Sequence, residues 1–187
     1  MSSVREMCLD HLKQEFEKAE MECYIRDESV SGIALRILTV RLDDFGVGID
    51  DVVGEFMFFP RPNGAPDTEY FLSVITLTNE IVPERIPKLA EYICRINSVT
   101  QSGAFVLSLD KKILMFRMET PLMGLSEAQM QAMTESLTVH ALQAAEEFAG
   151  ELVVYAEGIA DDTVITELLP EDGDHPVMPE EMQEDIQ

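Results

Sequence analysis

Apolar residues recur at helical spacing near both ends of the chain and at strand spacing between them. Met7, Leu9, Leu12 and Phe16 form a stripe with Glu and Lys between, which predicts a first helix over residues 3–20. Gly32 opens an extended run, Ile33 to Leu42, rich in β-branched and aliphatic residues. Asp43-Asp44-Phe45-Gly46 breaks it. A second run covers Val52 to Phe59 and a third Glu69 to Leu77. Between them, Pro60, Pro62, Asn63, Gly64 and Pro66 restrict the backbone to a loop. Three runs joined by short turn segments predict an antiparallel meander.

Pro83 and Pro87 suit a helix start, where the missing N–H is not needed. Ile86, Leu89, Ile93 and Ile96 then mark one helical face, and Gly103 ends it. Ala104–Leu109 and Ile113–Met118 flank Asp110-Lys111, the pattern of a tight hairpin. Ser126 and Gln129 fit a capping box. From there Leu125, Met130, Met133, Leu137, Ala141, Ala144, Phe148 and Leu152 outline an amphipathic helix of about eight turns. The order is α-βββ-α-ββ-α, an α+β domain with a central antiparallel sheet of about five strands and helices packed on it.

Alternation along the strands predicts apolar residues on both sheet faces. Phe56 and Phe58 oppose Met57 and Phe59; Leu114, Phe116 and Met118 oppose Ile113 and Met115. Helices cover one face. The other needs the long helix, a second subunit or a ligand, unless the chain wraps itself completely.

Charge narrows the partners. The 187 residues carry 36 acidic against 13 basic side chains, a formal net charge of −23. Such a field repels nucleic-acid phosphates and anionic lipid surfaces and attracts basic partners. Cys8, Cys23 and Cys94 are odd in number and widely spaced, against a disulfide framework or a structural zinc site. The N-terminus lacks the apolar core of a secretory signal, and no long apolar run predicts a membrane span, so a cytoplasmic location is expected. From Ile159 onward there are ten acidic residues and no Lys or Arg. We divide the chain into a domain over 1–158 and an acidic, largely flexible tail over 159–187, in which Val164–Leu169 has the apolar content to dock on the body.

Motifs of catalysis are sparse. Gly46-Val47-Gly48 lacks the third glycine and the following helix of a nucleotide loop and is better explained as a turn. Cys8, His11 and Glu15 fall on one helical face, but a metal needs further ligands that the sequence does not offer nearby. His140 has no carboxylate or cysteine at contact spacing. No catalytic residue, metal site or cofactor is assigned. Methionines 115, 118, 123, 130 and 133 crowd between hairpin and long helix. Methionine suits surfaces that accept varied apolar ligands, and equally fills gaps in cores. Phe56, Phe58, Met115, Met118 and Met123 are the candidate partner-binding residues.

The element order resembles the YbjN family and the type III secretion chaperone-like fold. The resemblance covers residues 1–157. It is carried by Ile96-Asn97, Gly103-Ala104-Phe105-Val106-Leu107, Leu109-Asp110-Lys111-Lys112, Arg117-Met118, and Pro121-Leu122 leading into Leu125-Ser126. It implies a small, acidic, cytoplasmic, non-enzymatic protein, usually dimeric. The expected function is a chaperone-like or regulatory module that binds a polypeptide as a homodimer. The alternative is a small-molecule sensor or enzyme with a pocket between sheet and long helix. One expectation concerns the tail alone. Deleting residues 170–187 should leave the thermal midpoint nearly unchanged; a drop of several degrees in differential scanning calorimetry would show that the tail packs on the body.

Overall fold

The computed structural model describes residues 3–30, 32–46, 49, 51–59 and 68–163. Helix α1 (Val4–Lys18) leads into strands β1 (Cys23–Val30), β2 (Ile33–Leu42), β3 (Val52–Phe58) and β4 (Thr68–Thr78). A 3-10 turn over Pro83–Arg85 starts α2 (Ile86–Val99). Strands β5 (Ala104–Ser108) and β6 (Ile113–Met123) follow, then α3 (Glu127–Ala156). All strands pair antiparallel in one six-stranded sheet of order β1-β2-β3-β4-β6-β5.

The α+β class and the antiparallel sheet match expectation; the strand count does not. Four strands, not three, precede α2, because Cys23–Val30 forms an edge strand. Its Arg26, Asp27 and Glu28 hide it from a hydrophobicity-based reading, yet edge strands commonly carry charge. Strand β6 also runs past Met118 to Met123, through Pro121. By the register of the ladder, the missing N–H of Pro121 faces the side where β5 has already ended, so no hydrogen bond is lost.

Alternation sorts the strands into two faces. Leu38, Val40, Val52, Phe56, Phe58, Phe71, Ile75, Leu114, Phe116 and Met118 join residues of all three helices in the main core. Rings link its two ends: Phe16 stacks on Phe56 at 5.8 Å, and Phe105 meets Phe116 and Phe148 edge-on at 5.2 and 6.2 Å. On the opposite face Leu35, Ile37, Met57 and Leu72 form a smaller buried cluster, with Ile33, Phe59 and Val74 against it. Beside it Arg26 bonds Thr39 and Glu55 across the strands, so that face is part apolar and part ion-paired.

Both long helices start with a capping box, Ser3 with Glu6 and Ser126 with Gln129. Two helical faces are rotated from expectation. Cys8, not Met7, faces the core from α1, and Thr134 and Thr138, not Met133, face it from α3. The Gly46 turn is closed by mutual backbone bonds between Phe45 and Ile49. The expected tail lies outside the described residues from Val164 onward.

Among the described glycines, Gly103 leaves the least room for a side chain. It has φ +78°, and a Cβ there would stand 2.3 Å from Phe116 Cζ. Gly103→Ala should therefore cost about 2 kcal/mol or more, from left-handed strain and overpacking together. A urea midpoint unchanged from wild type would contradict this.

Candidate functional site

The sequence-derived candidates do not converge on one site. Phe56 is fully buried and Phe58 and Met118 are 5% exposed, so in the single chain these three are packing residues of the main core with no surface to offer. Their place in a partner pocket is corrected accordingly: alternation turns their side chains under the helices. Met115 is half-buried on the opposite face, and Met123 is 60% exposed on that same face. They lie roughly 27 Å apart along β6 at about 3.4 Å per residue, too far to share a pocket.

Three other features could engage a ligand. The first is the pair of sheet edges. In an antiparallel ladder, alternate residues turn their backbone N–H and C=O away from the neighbouring strand. On β5 those residues are Phe105 and Leu107, and Asn97 takes both groups of Phe105: its Nδ2 donates to the Phe105 carbonyl at 2.9 Å, and the Phe105 N–H donates to its Oδ1 at 2.8 Å. On β1 the Arg41 N–H donates to the Glu22 carbonyl, which fixes the register. Cys23, Ile25, Asp27 and Ser29 therefore direct their backbone groups outward along an eight-residue edge. No side chain among the described residues bonds to them.

The second is a cleft of ≈ 600 Å³ between the sheet and the last turns of α3. Val53, Leu77, Val153 and Val154 give it an apolar wall, and Asp51, Glu80 and Glu157 give it three carboxylates. Thr78 ties its rim together: its hydroxyl donates to Glu157 Oε1 at 2.7 Å and accepts from the Glu80 N–H at 3.0 Å. Neither Tyr70 nor His140 is among its lining residues.

The third is a groove of ≈ 200 Å³ between α1 and α3, walled by Leu12, Phe16, Ala19, Val139 and Leu142 with Met21 at its side. Glu15 and Glu135 are its charged members. His11 stands between them, its Nε2 3.4 Å from Glu135 and its Nδ1 3.9 Å from Glu15. A hydrogen bond from the Lys18 ammonium holds Glu15 below the ordinary carboxylate range. Cys8 points inward instead of toward His11, and burial pushes its thiol pKa up. Among the described residues no three His, Cys, Asp or Glu gather as metal ligands.

Beyond α3, the chain is fastened to α2. The Arg85 guanidinium lies 4.7 Å from the centre of the Tyr155 ring and donates to the Tyr155 and Ala160 carbonyls. Tyr155 in turn meets Tyr92 edge-on at 5.2 Å. Sequence reasoning missed this cluster and the groove because each depends on residues distant in the chain; it missed the Asn97 cap because a side chain bonding a strand edge leaves no hydrophobic pattern.

No protein-family model matches the chain, and no curated protein does. Among solved structures, YbjN from E. coli is similar with a TM-score of 0.39 at 15% identity, over 76% of this chain and 91% of that one. An uncharacterized protein from Methanothermobacter thermautotrophicus is similar with a TM-score of 0.36 at 13% identity, over 78% of this chain and 99% of that one. No described helix is long and apolar enough to cross a membrane.

Burial, and then a hydrogen bond with Asp162, push the Tyr155 pKa from 10.0 up to about 12. A folded-state pKa above the unfolded one means that its stabilising contribution is whole below pH 10 and fades as pH rises toward 12. Urea titrations across that window should show falling stability, with a shallower fall in Tyr155→Phe. Equal slopes in both proteins would count against it.

Proposed function

We propose that this protein is a non-enzymatic interaction module that binds a polypeptide, and that it does so as a homodimer. The observation that carries the reading is the contrast between the two sheet edges. Asn97 takes the outward groups of Phe105 on the five-residue β5, whereas β1 offers outward N–H and C=O groups along eight residues. An extended segment that adds to such an edge gains main-chain hydrogen bonds, while side chains supply selectivity. The net charge of −23 favours a segment rich in Lys and Arg. A chaperone-like or regulatory role follows from holding such a segment without altering it.

A second reading rests on the ≈ 600 Å³ cleft beside α3, whose size falls within the roughly 300–1,000 Å³ of small-molecule sites. Native mass spectrometry of the protein isolated from its own cells would favour that reading if it showed a reproducible small-molecule adduct.

Asp27→Pro tests the first reading directly. Its lost N–H points away from β2, so the sheet should survive while the edge loses a donor. Partners captured by the wild-type protein and identified by mass spectrometry should be depleted at least tenfold with this variant, at unchanged circular dichroism. Equal recovery would remove β1 from the binding surface. Light scattering at micromolar concentration should report about twice the 21.0 kDa chain mass, and a monomer mass would refute the dimer.

A further inference from the structure

We infer that the groove between the C-terminal half of α1 and the middle of α3 seats one apolar side chain of a segment that also carries Lys or Arg. This assignment rests on the polypeptide-binding reading and names the chemistry of the bound segment. The volume, ≈ 200 Å³, is below the roughly 300–1,000 Å³ of drug-sized sites and suits a side chain or two. Leu12 and Phe16 make a buried floor, while Val139 and Met21 are left 50% and 39% exposed. Singly exposed apolar residues are ordinary, but these two line the same concavity. Methionine at such a position can adjust to anchors of different shape.

Charge selects among occupants. Glu135, 51% exposed, and Glu15, 37% exposed although ion-paired with Lys18 at 2.6 Å, border the apolar walls. A second copy seated symmetrically here would bring its own Glu15 and Glu135 toward them, in a chain of net charge −23. An anionic lipid surface meets the same repulsion. A Lys or Arg flanking an apolar anchor meets attraction instead, and the desolvated anchor supplies the affinity that rim charges alone do not. Met21 also leads directly into β1, so a segment lying along the β1 edge passes close to the groove.

The test separates the anchor from diffuse attraction. The probes are fluorescein-labelled 14-residue peptides: one amphipathic, of Leu and Lys, one of Leu and Glu, and one of Lys and Ser. Fluorescence anisotropy at 150 mM salt should show binding of the Leu/Lys peptide alone. Val139→Glu and Met21→Glu should each weaken that binding at least tenfold, although both make the protein more acidic; exposure at both positions and a circular-dichroism check keep folding separate. Binding that is unchanged or stronger in these variants overturns the proposal, as does equal binding of the Lys/Ser peptide. No binding of the Leu/Lys peptide by the wild type overturns it too, and so does a wild-type dimer mass that halves in Met21→Glu, which would give the groove to a second copy. The edge and the groove fail separately: Asp27→Pro that keeps peptide affinity while Val139→Glu loses it supports the groove whatever becomes of β1.

Discussion

The close approach of α3 to its neighbours governs how this fold is assembled. At 30 residues and about 1.5 Å per residue, α3 is the longest element, and it contacts α1, α2, β4 and β6. Thr134, Thr138, Ala141, Ala145 and Ala149 line its inner face and are 0–2% exposed. Small side chains there let neighbouring backbones come near, and any enlargement would strain several contacts at once. The two threonines solve their polarity within the helix: their hydroxyls donate to the Met130 and Thr134 carbonyls at 2.7 and 2.9 Å. The helix's aromatic groups, Phe148 and Tyr155, enter toward the C-terminal end, where Phe105 and Tyr92 receive them edge-on.

With one sheet face sealed by helices, the edges become the places where backbone groups remain to be satisfied. The chain treats them unequally. On one side, Asn97 mimics a neighbouring strand for Phe105, and β5 is only five residues long. On the other, among the described residues, β1 carries the charges of Arg26, Asp27 and Glu28 at its middle and no side chain bonded to its outward backbone groups. Charge on an edge discourages indiscriminate self-pairing while leaving donors and acceptors in place.

Much of the architecture is legible in the sequence because its signals are local. The Ser126–Gln129 capping box, the Pro83 start and the Asp110-Lys111 turn are each written within four or five residues, and each falls where the structure places it. What is not legible depends on tertiary choices. Charges concealed β1, since an edge strand can be polar in the middle. The inner face of α3 is marked by Thr and Ala, so hydrophobicity pointed to Met133 instead, which is 41% exposed. The same holds for Phe56, Phe58 and Met118: their apolarity marks them equally for a binding surface and for the core, and the core is where they lie. The α1–α3 groove is made by residues more than a hundred positions apart, and no spacing within the chain announces it.

A strand edge and an apolar groove do different physical work. Main-chain hydrogen bonds are available to any extended segment, so β1 alone would bind with little selectivity. Net hydrogen-bond gains are also modest, because each replaces a bond to water. An apolar anchor adds a term that depends on side-chain identity, and a fully desolvated anchor dominates such interfaces. Surface acidity acts earlier still: it speeds the encounter with basic segments and slows it with acidic ones, this chain's own copies included. Under the polypeptide-binding reading, the three features therefore act in sequence, with charge selecting who arrives, the edge aligning the backbone, and the groove between α1 and α3 deciding which side chain allows the segment to stay.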